Sequence, residues 1–192
     1  MKLTAIKNNI IFKFVEGVNS SGEFEKTETA SIIHQLANFD ESAKDPRWVK
    51  IVSVGPDCTF VKEGMQVLLP ALRWTNSTKF DGERIWKSDE TQVVAWRVPG
   101  IKEVYPVDGV VIFKHVHLKA SSSIAGLTIY GGVVDSPKGI AVYVGSKCEP
   151  ELVGSTIWYD GTNFLDTFTS SGVEMAFIKE TDILLYEKNT EI

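Results

Sequence analysis

Apolar residues along this chain fall in short runs rich in β-branched and aromatic side chains, separated by Gly, Pro, Asn and Asp. Eight runs stand out: Ile10–Val15, Trp48–Val54, Gln66–Leu69, Val93–Trp96, Val110–Val116, Ile140–Val144, Thr156–Tyr159 and Ile183–Tyr186. Branched and aromatic side chains pack well on a pleated surface, so each run reads as a strand. No stretch keeps a 3.6-residue apolar period for three turns, so long helices are not expected. The pattern predicts an all-β protein.

The strands also repeat. Ile10-Ile11-Phe12-Lys13 returns as Val111-Ile112-Phe113-Lys114, a shift of 101. Val52-Ser53-Val54-Gly55 returns as Val142-Tyr143-Val144-Gly145, shifted by 90. Gly64 and the run behind it match Gly154 and Ser155–Tyr159, and Glu90–Val94 matches Glu180–Leu184, both again at 90. The register changes once, where 33 residues (15–47) stand against 22 (116–137). A length change confined to one interval is what a surface loop tolerates and a packed element does not. The reading is a tandem repeat divided near Val98-Pro99-Gly100, with units 1–98 and 99–192. Each unit has the size of a small closed or nearly closed barrel.

Composition narrows the function. The 192 residues carry 20 basic and 25 acidic side chains, a net charge of −5, and only two cysteines. Nucleic-acid binding needs a concentrated basic footprint, so it is not expected. No apolar run approaches the roughly 18–20 residues that cross a bilayer, and Lys2, Lys7 and two asparagines interrupt any leader-like start. The expectation is a soluble, cytoplasmic protein without a disulfide framework.

The order and spacing of several strings resemble the GroES-type co-chaperonin family, over nearly the whole chain and twice. Val107-Asp108-Gly109-Val110-Val111-Ile112-Phe113-Lys114 is similar to that family's opening strand, and Pro137–Gly145 to the strand after its mobile loop. Val153–Gly161 resembles the next strand and the start of the roof hairpin, and Val173–Leu184 the closing strands. Ser53-Val54-Gly55-Pro56-Asp57 looks closest to phage-encoded members.

The resemblance implies two GroES-like barrels in a non-enzymatic, ring- or assembly-forming protein without cofactor or metal. It implies that the protein caps a chaperonin through apolar tips on loops between the first two strands of each unit. Carried over, the second tip is Leu127, Thr128 and Ile129, after a serine-rich approach. The first is Ile32 and Ile33 with Leu36 nearby, on a loop (15–47) holding 7 acidic and 3 basic residues. Those apolar residues read equally as strand or helix positions packed on the barrel or on a neighbouring subunit. A second reading is a phage virion structural protein, a capsid, neck or decoration component that uses the same barrel as a building block. The partners are then chaperonin apical domains or virion neighbours, beside other copies of the chain.

Catalytic signatures are absent from the sequence. There is no G-x-S-x-G elbow, no phosphate-cradling G-x-x-x-x-G-K-[ST], and no G-x-G-x-x-G after a strand. His115 and His117 share one strand face, but with Cys58 and Cys148 they match no metal-ligand spacing. Trp48 and Trp86 read either as subunit-contact anchors or as fillers of the barrel ends.

Overall fold

The computed structural model describes residues 3–16, 45–101, 103–116, 137–160, 166–170 and 172–189, with the backbone of 122–124 and 127–129. The predicted loop tip at Ile32, Ile33 and Leu36 lies outside the described residues. Strands β1 (Asn9–Phe14), β2 (Arg47–Val54), β3 (Gln66–Leu69), β4 (Thr78–Phe80), β5 (Glu83–Asp89), β6 (Ala95–Arg97) and β7 (Tyr105–Pro106) make one sheet, ordered β4-β5-β1-β2-β3-β6-β7. After β8 (Val110–His115) come β9 (Ser122–Ile124) and β10 (Leu127–Ile129), which pair only with each other. Strands β11 (Lys138–Val144), β12 (Thr156–Tyr159), β13 (Thr167–Ser170), β14 (Val173–Lys179) and β15 (Ile183–Glu187) join β8 in a second sheet, ordered β13-β14-β8-β11-β12-β15. The described helical residues are three single 3-10 turns, at Glu90–Gln92, Pro150–Leu152 and Glu180–Asp182. No helix among the described residues is long and apolar enough to cross a membrane.

The protein is therefore all-β with two main sheets, and every pairing is antiparallel. The closed barrels expected from sequence are not closed by hydrogen bonds. Closure needs a staggered ladder between the first and last strands. Among the described residues β4 and β7 end one sheet, and β13 and β15 the other. Strand β5 escaped the pattern because charged residues interrupt it, as in Glu83-Arg84-Ile85-Trp86-Lys87-Ser88-Asp89, whereas β14 falls inside the Val173–Leu184 segment read as closing strands. The β4–β5 turn follows its chemistry: Asp81 and Gly82 both take positive φ (51° and 81°), as a two-residue hairpin turn of the twist-matched kind requires.

The two sheets agree strand by strand. Apart from β7, the order of the first becomes that of the second when β4, β5, β1, β2, β3 and β6 are read as β13, β14, β8, β11, β12 and β15. Ile11 sits opposite Ser53 and Phe12 opposite Ile51, which leaves Val52 as a bulge. Ile112 sits opposite Tyr143 and Phe113 opposite Ala141, which leaves Val142 as a bulge. Bulges bend a strand and raise its twist, so both sheets curl at the same place. Each curled sheet wraps its own apolar cluster, Ile10, Phe12, Val49, Ile51 and Val67 in the first and Val111, Phe113, Ala141, Ile157 and Tyr159 in the second.

A third cluster binds the sheets together. Trp48, Leu68, Ala95 and Val104 pack against Ile112, Phe168 and Met175. This is why Val110–Phe113 is buried on both strand faces, while the equivalent β1 alternates: the outer face of β8 lies in the seam. β7 completes the seam from the connecting segment, pairing with β6 although it lies beyond residue 98.

Candidate functional site

The second predicted tip forms a strand. Leu127, Thr128 and Ile129 make up β10 and face Ile124, Ser123 and Ser122 of β9. Ser122 and Ser123 of the serine-rich approach are thus ladder residues. The register places Leu127 opposite Ile124 with two residues between them in sequence, the spacing of the tightest hairpins. This pair sits between β8 and β11, the first two strands of the second sheet in chain order.

A wide concavity lies elsewhere, at the seam. A groove of about 1130 Å³ opens between the β6–β7 side of the first sheet and β11 of the second, with Phe60, Trp96, Tyr105, Tyr143, Val144 and Val153 among its walls. Phe60, Tyr105 and Val153 are 37%, 38% and 54% exposed, a concentration of accessible apolar surface. Tyr105 is stacked on Trp96, with ring centroids 4.4 Å apart and planes 21° apart. Its hydroxyl donates to Glu103 at 2.8 Å, and this bond raises the phenol's pKa. On the second-sheet side Asp108 accepts from Ser146 and pairs with Lys147 at 3.0 Å. The Ser146 bond, with Lys147 behind it, holds the Asp108 carboxyl below the usual range.

Glu90, at the edge of this groove, is 5% exposed and fully engaged. Its carboxylate accepts from the amides of Thr59 (2.8 Å), Phe60 (3.0 Å) and Val61 (2.9 Å) and from the Thr59 hydroxyl (3.1 Å). Burial pushes its pKa up, but the amides of Val61, Thr59 and Phe60 and that hydroxyl outweigh burial and hold it low. With its lone pairs committed, this acid serves as a clamp on segment 59–61 rather than as a base. Its repeat partner Glu180 accepts from the Glu149 amide at 2.7 Å. Sequence reasoning matched the two glutamates only as repeat positions. No local signal marked the clamp, because the amides it holds lie 29 to 31 residues away in sequence, while the 3-10 turn's own Thr91 amide is capped by Asp89.

The thiols and imidazole are structural as well. Cys58 donates to the Asn9 carbonyl and Cys148 to the Val110 carbonyl, each at 3.6 Å. Burial is the main cause that raises both thiol pKa values, which keeps them protonated and poor nucleophiles. His115 Nδ1 lies 2.8 Å from the Tyr159 hydroxyl, while His117 lies outside the described residues. Among the described residues no three His, Cys, Asp or Glu side chains gather as a metal group.

Both tryptophans weighed as interface anchors are internal. Trp48 fills the seam beneath Arg97, whose guanidinium carbon is 4.0 Å from the ring centroid. Trp86 packs on Phe14 in the first core, centroids 4.8 Å apart. The described residues thus form an aromatic-walled groove at the seam and a β9–β10 pair that bonds only to itself.

No protein-family model matches this chain, and no curated protein matches it.

Proposed function

We propose that this chain is a non-enzymatic, assembly-forming protein made of two GroES-like barrels in tandem, which caps a chaperonin through its apolar loop tips. The observation that carries the reading is the equivalence of the two sheets in strand order, bulge position and thiol bond. A doubled β unit with its carboxylate and thiols committed to structural bonds is suited to scaffolding.

The tips are Ile32, Ile33 and Leu36 in the first unit and Leu127, Thr128 and Ile129 in the second. Both sets lie in sequence between the first two strands of their sheet. Pairing of β10 with β9 orders the second tip in advance, which lowers the entropy cost of docking. Several tips on one assembly then add strength through multivalency while each contact stays reversible.

The test is chaperonin ATP turnover and refolding of a stringent client, with and without the purified protein. Slowed turnover, assisted refolding and loss of both in Leu127→Asp support the reading. A protein that leaves the chaperonin unaffected and instead co-sediments with viral particles overturns it in favour of a virion building block.

A further inference from the structure

The walls of the seam groove carry charge of one sign. Among the described residues the charged side chains that line it are Glu90, Glu103 and Asp108, all acids. Glu90 is spent on its bonds to segment 59–61. Glu103 and Asp108 are exposed and flank β7 in the chain. Glu103 accepts from the Tyr105 hydroxyl at 2.8 Å, which takes one of the roughly four acceptor directions of a carboxylate. Asp108 holds Ser146 and the exposed Lys147, and a surface pair of that kind contributes little and yields to a better partner.

Tyr105 stands between these acids with its ring already set. Trp96 is stacked against it and Glu103 fixes its hydroxyl, yet 38% of the residue stays exposed. An aromatic ring with a carboxylate at its rim is what a planar cation seeks, and guanidinium matches both parts. The same chain already uses such a pairing, with Arg97 over Trp48 at 4.0 Å. Phe60, Tyr143 and Val153 make the rest of the groove apolar. Its volume of about 1130 Å³ exceeds the roughly 300–1000 Å³ of sites for drug-sized ligands, so it takes a stretch of chain. β7 ends the first sheet and shares no ladder with β11. Pro106 has no amide to give, so recognition rests on side chains more than on strand addition.

We propose that the seam groove binds an arginine-bearing, otherwise apolar segment of a partner protein. The guanidinium lies on Tyr105 and bonds to Glu103, and the flanking apolar side chains rest on Phe60, Tyr143 and Val153. Charge decides between occupants. The chain's own segment 15–47, with 7 acidic and 3 basic residues, is mismatched to an acidic groove, and so is a second copy of net charge −5. A basic partner is steered toward it. The inference goes beyond chaperonin capping and is independent of it, since none of the tip residues lines the groove.

The experiment titrates the full-length protein into a fluorescein-labelled peptide, Gly-Leu-Phe-Arg-Leu-Val-Gly-Ser, and follows anisotropy. A matched peptide carries citrulline, the neutral isostere, in place of arginine. The arginine peptide should bind about tenfold more tightly, the scale of one cation–π contact with its charge, and the advantage should shrink as salt rises. Glu103→Gln should remove most of that advantage while leaving the citrulline peptide's affinity unchanged, a coupling that a merely structural role would not produce. Tyr105→Ala should weaken both peptides, with the unfolding midpoint measured alongside, and Leu72→Asp, at an exposed site elsewhere, should weaken neither. Equal affinity for the two peptides, an arginine advantage that survives Glu103→Gln, or no binding of the arginine peptide overturns the proposal. Absent chaperonin effects with peptide binding intact would count against capping alone.

Discussion

Trp48 and Phe168 meet edge to face across the boundary between the two sheets, ring centroids 6.2 Å apart and planes at 76°. They come from β2 and β13, on opposite sides of the repeat division, and both are buried. An edge-to-face pair is worth about 0.5–1.5 kcal/mol beyond its area. The contact packs the two sheets against each other in a shared apolar cluster.

Phe168→Ala should accordingly cost about 3–5 kcal/mol in denaturant unfolding, as large-to-small changes at buried aromatics do. Trp48→Ala should cost a similar amount, and the double variant less than the sum, since the two share one contact. Strict additivity would show that they do not act through each other.

Glu90→Gln should destabilise by about 1–3 kcal/mol at neutral pH, because an amide replaces a buried carboxylate that satisfies three amides and a hydroxyl. The folded protein keeps Glu90 ionised to lower pH than the unfolded chain does. Its contribution is therefore complete above the ordinary glutamate range and is lost as pH falls through the depressed folded value. The stability gap between wild type and variant should shrink on acidification. A gap constant with pH counts against the clamp.

Gly55→Ala and Gly145→Ala should both be severe. An added Cβ would lie 2.0 Å from the Lys7 carbonyl oxygen in one case and from that of Val107 in the other. Backbone cannot give way like a flexible side chain, so the cost should reach or exceed the roughly 1–3 kcal/mol of overpacking. At Gly64 nothing stands within 4 Å, and the penalty of Gly64→Ala comes from its φ of +85° alone, about 1–2 kcal/mol. Thermal melts giving Gly64→Ala the larger loss would refute the close approach.

Tyr159 should be the last described tyrosine to ionise. Burial pushes its pKa up to about 12. Since the folded value lies above the unfolded one, its contribution is whole below about pH 10 and is lost as pH rises toward 12. In an absorbance titration Tyr159→Phe should remove the latest tyrosinate step. It should also lose the bond to His115, at about 0.5–1.5 kcal/mol.

Much of the fold could be read from one-dimensional pattern. The runs at Gln66–Leu69 and Thr156–Tyr159 are strands with those same bounds, because a short apolar run closed by Gly or Pro leaves few alternatives. β4, β5 and β13 were harder, since their apolar residues alternate with charge or sit in three- or four-residue pieces. Of the candidate site residues, Leu127, Thr128 and Ile129 were open between a pliable tip and a strand or helix position, and they form a paired strand. Pairing depends on a partner segment as much as on the tip's own composition. The role of Trp48 was open between subunit contact and filler, and only the position of Phe168 decided it.

Local chemistry, then, was enough to dictate strand type, turn positions and the periodicity of 90 residues, because side-chain branching, glycine placement and alternation act within a few residues of themselves. The seam and the Glu90 clamp arise only when distant segments meet. Whether a valine run is buried on one face or two, and whether a carboxylate faces water or three amides, depends on which surfaces fold together. That is a property of the packed chain and not of its order of residues.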